Sequence, residues 1–379
     1  MQWLKSGVAV LWMSGLGVLP RECQFEWPPD PPGQTGGSGG SAGATGGLGG
    51  SAGAGEGGEG ILLDPVLGCD EGVWPERAIY ETLPPNTLRA SAMSGDGEVV
   101  VGWSSSGAVH PTLWTHSGVR ELAELGYAEF SAANCDGTVL GGRRFGGPIR
   151  AFFWRESAGT VDLLRAQALE LSANGEDLLC GYALCRSDGT IESLGADIES
   201  VSLSADAQVV HGLRASMEIC GLTPRDCNYD LMRWTRASGW AVLHPALQEH
   251  YLPAAAADGT VATVAPEAIT DGSLDRLQLW HLDGETEVIQ CPRGPCLPQG
   301  LSSHANVIIT GGAGTIWSRR HGFRDFAALL AELGADTRGA SLSLDFISDD
   351  ARVIVGTAYD PETGEDTVFR AQLPKAAWR

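Results

Sequence analysis

The chain has 379 residues, 52 of them glycine, and a formal net charge of -22. With no cluster of Lys or Arg, that charge excludes a nucleic-acid surface, which needs a basic face, and sets the chain against anionic lipid head groups. The length suits two ordinary domains or one large repeat domain, and the plentiful Gly, Ser, Thr and Val favour short strands and tight turns.

In chain order, the first segment reads as export. Lys5 precedes an apolar run from Ser6 to Pro20 that is broken only by small residues. The run is too short for a bilayer span of about 20 residues and matches the core of a signal peptide. Leu19 lies four residues before Cys23, as in a bacterial lipoprotein signal, although Glu22 stands where that signal wants a small residue. Residues 1–23 are therefore expected to be a signal segment, with Cys23 the candidate lipid anchor. Residues 24–60 follow as a tether, proline-rich at Pro28 to Pro32 and then more than half glycine. Such a composition cannot bury a core. As a flexible coil the glycine-rich stretch spans roughly 30 Å.

Residues 61–379 are organised by a repeat. Its polar turn residue recurs at Asp96, Asp136, Asn174, Asp206, Asp258, His304 and Asp350, at intervals of 40, 38, 32, 52, 46 and 46. Each unit runs through Ser-x-Asp-Gly, as in Ser94-Gly95-Asp96-Gly97, into an apolar run ending in Gly, as in Val99-Val100-Val101-Gly102. An apolar residue plus Trp comes next, Leu113-Trp114, Phe153-Trp154, Leu279-Trp280 and Ile316-Trp317, with the variant Arg233-Trp234. A Gly (Gly118, Gly159, Gly239, Gly284, Gly322) then turns the chain into a closing apolar strand. Asp-Gly between apolar runs is a hairpin signal, because Asp caps backbone amides and Gly supplies positive φ. Each unit thus reads as a four-stranded antiparallel meander, and seven such units predict an all-β, seven-bladed β-propeller with the Trp residues packed between blades. The third unit lacks the Trp, the fifth has Val264 where Gly is expected, and the sixth has His304 for Asp.

The seventh unit stops after three strands, so its third strand, Thr367 to Leu373, would leave an unpaired edge. The missing strand is expected from before the first unit. Ala78 to Leu83 has strand composition and is ended by Pro84-Pro85. This predicts that the two ends of the domain meet in blade seven.

These motifs resemble the bacterial HAF repeat proteins, also described as probable extracellular repeat proteins. The last unit is the most similar, with Phe323 to Asp336 reading as a short helix before Ser341 to Gly356 and Tyr359 to Gly364. The resemblance covers about Leu88 to Pro374. It implies a propeller-like fold and an exported location and brings no assigned activity.

Of nine cysteines, six fall in close pairs, Cys180/Cys185, Cys220/Cys227 and Cys291/Cys296, and Cys69, Cys135 and Cys23 remain. Setting Cys23 aside leaves an even eight, which behind a signal segment reads as disulfides. Cys220–Cys227 is expected to staple a loop and Cys291–Cys296 the link between blades five and six. Zinc is the competing reading, but no His stands at ligand spacing beside a pair.

No catalytic set stands out. A residue present at every blade turn serves the turn, there is no G-x-S-x-G elbow, and the eight His are scattered. Asp360 to Asp366 carries acidic residues at alternate positions, which invites a calcium loop but fits a solvated hairpin tip better. The expectation is a monomeric, cell-surface or extracellular binding or structural module with no cofactor, whose partner is a glycan, peptide or protein. It would meet the membrane only through a lipid anchor. The alternative is a propeller hydrolase or lyase with acidic residues at the central channel, and the residues lining that channel discriminate the two.

Overall fold

The computed structural model describes residues 69, 72–105, 109–145, 148–163, 168–195, 198–215, 228–248, 253–270, 272–292, 295–311 and 314–379. The chain divides into a unit spanning Met1–Gly58, outside the described residues, and a second spanning Glu59–Arg379. The second unit holds seven four-stranded antiparallel sheets. Blade one is Thr87–Met93, Val100–Ser105, Val109–Thr115 and Gly118–Glu121. Blades two to six begin at Ala128, Ala168, Glu199, Ala254 and Leu297. The units with departures from the pattern are complete blades.

Blade seven comprises Ser341–Ile347, Val353–Tyr359 and Asp366–Gln372, and its fourth strand is Ile79–Thr82 from the other end of the domain. Ile79 pairs with Gln372 and Thr82 with Phe369, and the Leu83 amide donates to Val368 at 2.8 Å. This is the closure the sequence implied. The expected helix at Phe323 to Asp336 is shorter, Phe326–Glu332, because Phe323 lies within the outer strand Gly322–Asp325 of blade six. Asp325 caps the helix by accepting from the Ala328 amide at 2.8 Å, as N-cap aspartates do.

The repeated Ser-x-Asp turn is a local device. Ser94 Oγ donates to Asp96 Oδ1 at 2.6 Å, Asp96 Oδ1 accepts from the Glu98 amide at 2.9 Å, and Ser94 Oγ accepts from the Val99 amide at 2.9 Å. The same set recurs at Ser204/Asp206 and Ser348/Asp350. Gly97 has φ +71, and any Cβ there would strike Val353 of blade seven, so the turn needs Gly for both backbone and packing. The Gly that ends the second strand has a different cause. The inner strands of blades one and seven carry bulges at Ala90/Ala92 and Leu344/Phe346. These push the Arg89 and Ser343 carbonyls into the space where a Cβ of Gly102 or Gly356 would sit. Close backbone approach is what excludes a side chain there.

Each Trp packs against the preceding blade. Trp114 lies with Val353, Val355 and Val368 of blade seven, Trp154 with Ala92, Val101 and Leu113 of blade one, and Trp317 with Leu277 and Leu279 of blade five. Truncating an aromatic of this size in a core costs about 3–5 kcal/mol, so these residues hold the ring together blade by blade. In blade three the position belongs to Cys185, which pairs with Leu178 as Trp114 pairs with Val100. The Cys180–Cys185 disulfide packs there against Val139, Ala151 and Phe153 of blade two. At the closing seam between blades seven and one, Arg352, 1% exposed, reaches Glu98 at 2.8 Å and donates to the Asp96 carbonyl at 2.6 Å. Arg370 donates to the Gly97 carbonyl and pairs with Glu98 at 3.0 Å.

Candidate functional site

The seven inner strands enclose a channel of about 330 Å³. One end is hooped by a cycle of backbone hydrogen bonds between successive blade turns. Asp96 N–H donates to the Cys135 carbonyl, Cys135 to Ala173, Ala173 to Ala205, Ala205 to Ala257, Asp258 to Ser303, Ser303 to Asp349, and Asp349 to Gly95, at 2.8–3.1 Å. The turns thereby satisfy their own polar groups around the ring, and their carbonyls are engaged.

Among the described residues the channel wall is mostly small or apolar, with three carboxyl groups: Glu170, Asp345 and Asp349. Burial pushes Glu170 up to about 8, partly offset by the Leu203 amide that donates to Oε2 at 2.6 Å; the Asp349 charge adds to the rise. That amide belongs to the inner strand of blade four just past a bulge at Ser200/Ser202, so Glu170 satisfies a donor next to the interrupted pairing. Burial also lifts Asp349 to about 7, helped by Asp350 and Asp96 and opposed by His304. Asp345 is raised by burial, against the Thr357 hydroxyl and Arg89. Desolvation disfavours the charged form in each case.

Cys69 and Cys135 form a disulfide with Cα atoms 5.3 Å apart. It sits at the hooped end, with Cys69 Sγ 3.4 Å from Asp349 Oδ2. A disulfide sulfur has no proton to donate, so this contact calls for the protonated Asp349 carboxyl as donor. The space a Gly95 side chain would take is filled by Cys69 Sγ and Asp349 Oδ2.

The remaining sequence candidates distribute as follows. Cys291–Cys296 is bonded with Cα atoms 6.4 Å apart, between the outer strand of blade five and the inner strand of blade six. Cys23, Cys220 and Cys227 lie outside the described residues. Among the described residues no three His, Cys, Asp or Glu side chains gather into a metal-ligating group. Asp360 caps its own hairpin, its carboxylate accepting from the Glu362 amide at 2.7 Å. The repeat pattern does not single out Glu170, Asp345 or Asp349. Glu170 and Asp345 each leave a signal, a lone acid between apolar neighbours (Leu169 and Leu171, Leu344 and Phe346), and Asp349 leaves none. Among the described residues no helix is long and apolar enough to cross a membrane.

No protein-family model matches the chain, and no curated protein matches it. The solved structures similar to it are propellers. One is the β-propeller domain of the Trilobed protease from Pyrococcus furiosus, at TM-score 0.52, 11% identity, 78% of this chain and 95% of that one. Another is a streptogramin B lyase, at TM-score 0.50, 14% identity, 78% of this chain and 98% of that one. The chain spans 55% of the length of TolB from Acinetobacter baumannii, at TM-score 0.36 and 14% identity, with 55% of this chain covered. At these identities the likeness establishes fold alone: the chain carries a seven-bladed β-propeller of four-stranded antiparallel blades. Its described cysteines are disulfide-bonded, which points to an oxidising compartment.

Proposed function

We propose that the chain is an exported, surface-tethered propeller of the HAF repeat kind that binds a glycan, peptide or protein without transforming it. The observation that carries this reading is the employment of the channel carboxyls. Glu170 accepts the Leu203 amide, Asp349 contacts the Cys69 sulfur, and Asp345 accepts from the Thr357 hydroxyl at 3.3 Å. Each is engaged by the fold, Glu170 between blades three and four and Asp345 within blade seven, rather than aimed at a reacting atom beside a second catalytic group. The order of signal segment, tether and domain supports export, with Cys23 as the anchor and the glycine-rich segment as spacer. A monomer needs no partner copy to close this ring. Incubating the purified protein with oligosaccharide and peptide libraries tests the reading: binding with no new product is expected, and catalytic turnover would overturn it.

A second reading, a hydrolase or lyase at the channel, is favoured by one observation. Glu170 near 8 and Asp349 near 7 are protonated or half-protonated at neutral pH, as a general acid must be. Under that reading Glu170→Gln and Asp349→Asn would each abolish turnover while the fold persists.

A further inference from the structure

The end of the ring opposite the hydrogen-bonded hoop carries an aromatic group that the fold does not require. Trp103 lies in the second strand of blade one, Tyr127 just ahead of the inner strand of blade two, and Phe145 just past its second strand. The three are far apart in sequence and converge across the seam of blades one and two. Tyr127 and Phe145 have ring centroids 4.9 Å apart at 43°, and Trp103 and Tyr127 lie 6.1 Å apart at 57°. Tyr127 is 58% exposed, an unusual place for a ring that has two aromatic neighbours to hide behind. Alongside, the Arg143 guanidinium lies 5.1 Å from the Phe145 ring centroid and donates through Nε to Glu129 at 2.6 Å.

We propose that this cluster is a glycan-binding subsite that stacks a neutral pyranose ring on Tyr127, an inference that rests on the binding-module reading above. A hexopyranose with equatorial hydroxyls presents a C–H face to an aromatic ring and a rim of hydroxyls to polar neighbours. Tyr127 supplies the exposed platform, and Trp103 and Phe145 fix its tilt. The Arg143–Glu129 pair offers both donors and acceptors already oriented by each other. The ligand is neutral for two reasons. Arg143 is compensated by Glu129, leaving no free cation for a carboxylate sugar, and the net charge of -22 repels an acidic polysaccharide at long range. The seam geometry makes this a subsite of the assembled ring: neither blade alone holds the three aromatics.

The test uses the full exported protein and a fixed panel of neutral oligosaccharides, namely cellohexaose, laminarihexaose, chitohexaose and mannohexaose, followed by tryptophan fluorescence and calorimetry. At least one should bind and perturb the emission. Tyr127→Ala should weaken that binding on the order of tenfold or more. Arg143→Gln, which removes the guanidinium donors beside the platform, should weaken it by a smaller factor, with the far-ultraviolet spectrum unchanged in both. Absence of binding by the whole panel overturns the proposal. So does binding that survives both substitutions, although that result leaves the binding-module reading standing with the site elsewhere. Release of shorter sugars from the panel would instead overturn the non-enzymatic reading. Preference for an acidic hexasaccharide such as hexagalacturonate over every neutral one would overturn the assignment of ligand class.

Discussion

Replacing Glu170 by Gln should make the protein more stable at alkaline pH and change its pH dependence in a calculable way. Glutamine keeps an oxygen to accept the Leu203 amide, so the hydrogen bond at 2.6 Å has a neutral equivalent. The folded carboxyl holds its proton up to about 8, whereas the unfolded one releases it near 4.5. Between those values the folded state binds more protons than the unfolded state, so stability falls as pH rises. The contribution is fully present below 4.5 and is lost as pH climbs through 8. A tenfold difference in proton affinity between the two states is worth about 1.4 kcal/mol, which puts the whole excursion on the order of 5 kcal/mol. His211 masks part of it in the wild type. Burial, aided by Arg233, pushes that imidazole down to about 3 from 6.5. The unfolded His binds protons below 6.5 that the folded one refuses, so this contribution falls as the pH drops. The two slopes oppose each other between 4.5 and 6.5, and between 6.5 and 8 the buried carboxyls act without that opposition. Urea unfolding of both proteins under non-reducing conditions, from below pH 4.5 to above pH 8, isolates the Glu170 contribution as the difference between variant and wild type. The variant's advantage should grow steadily across that window. Parallel stability curves would show that Glu170 is ionised in the folded channel and that its burial does not govern its charge.

Truncation before Pro84 should destabilise the whole ring, because it removes the Tyr80 ring stacked 5.4 Å from Phe369 and uncovers Phe369 and Ala371, both fully buried. Truncation before Gly60 should leave the melting temperature unchanged, and Cys69→Ser in the longer chain separates the strand from the disulfide. Gly356→Ala should cost about 1–3 kcal/mol in chemical denaturation, the usual penalty for overpacking, since the new Cβ meets the Ser343 carbonyl; an unchanged midpoint would mean that the bulge relaxes freely. Removing Cys69–Cys135, which closes a separation of 66 residues, should cost about 4 kcal/mol, against about 2 kcal/mol for Cys180–Cys185 with its separation of 5. Equal losses measured on paired Cys→Ala variants would refute the loop-entropy account.

The sequence by itself determined the repeat and, through it, the blade count and the closure. The reason is locality. The Ser94–Asp96–Val99 turn bonds lie within six residues of chain, so the pattern that builds each blade is written contiguously. Counting three strands in the last unit then exposed the need for Ala78 to Leu83. The tertiary structure alone decided what depends on which blades become neighbours. Cys69 finds Cys135 across 66 residues, and Cys180–Cys185 proves to occupy the interblade place that Trp holds elsewhere. Trp103, Tyr127 and Phe145 assemble into one cluster. The charge of a carboxyl is likewise not a property of its own segment: Glu170 and Asp349 are ordinary acids in the chain and become near-neutral groups only when seven inner strands close around them and exclude water.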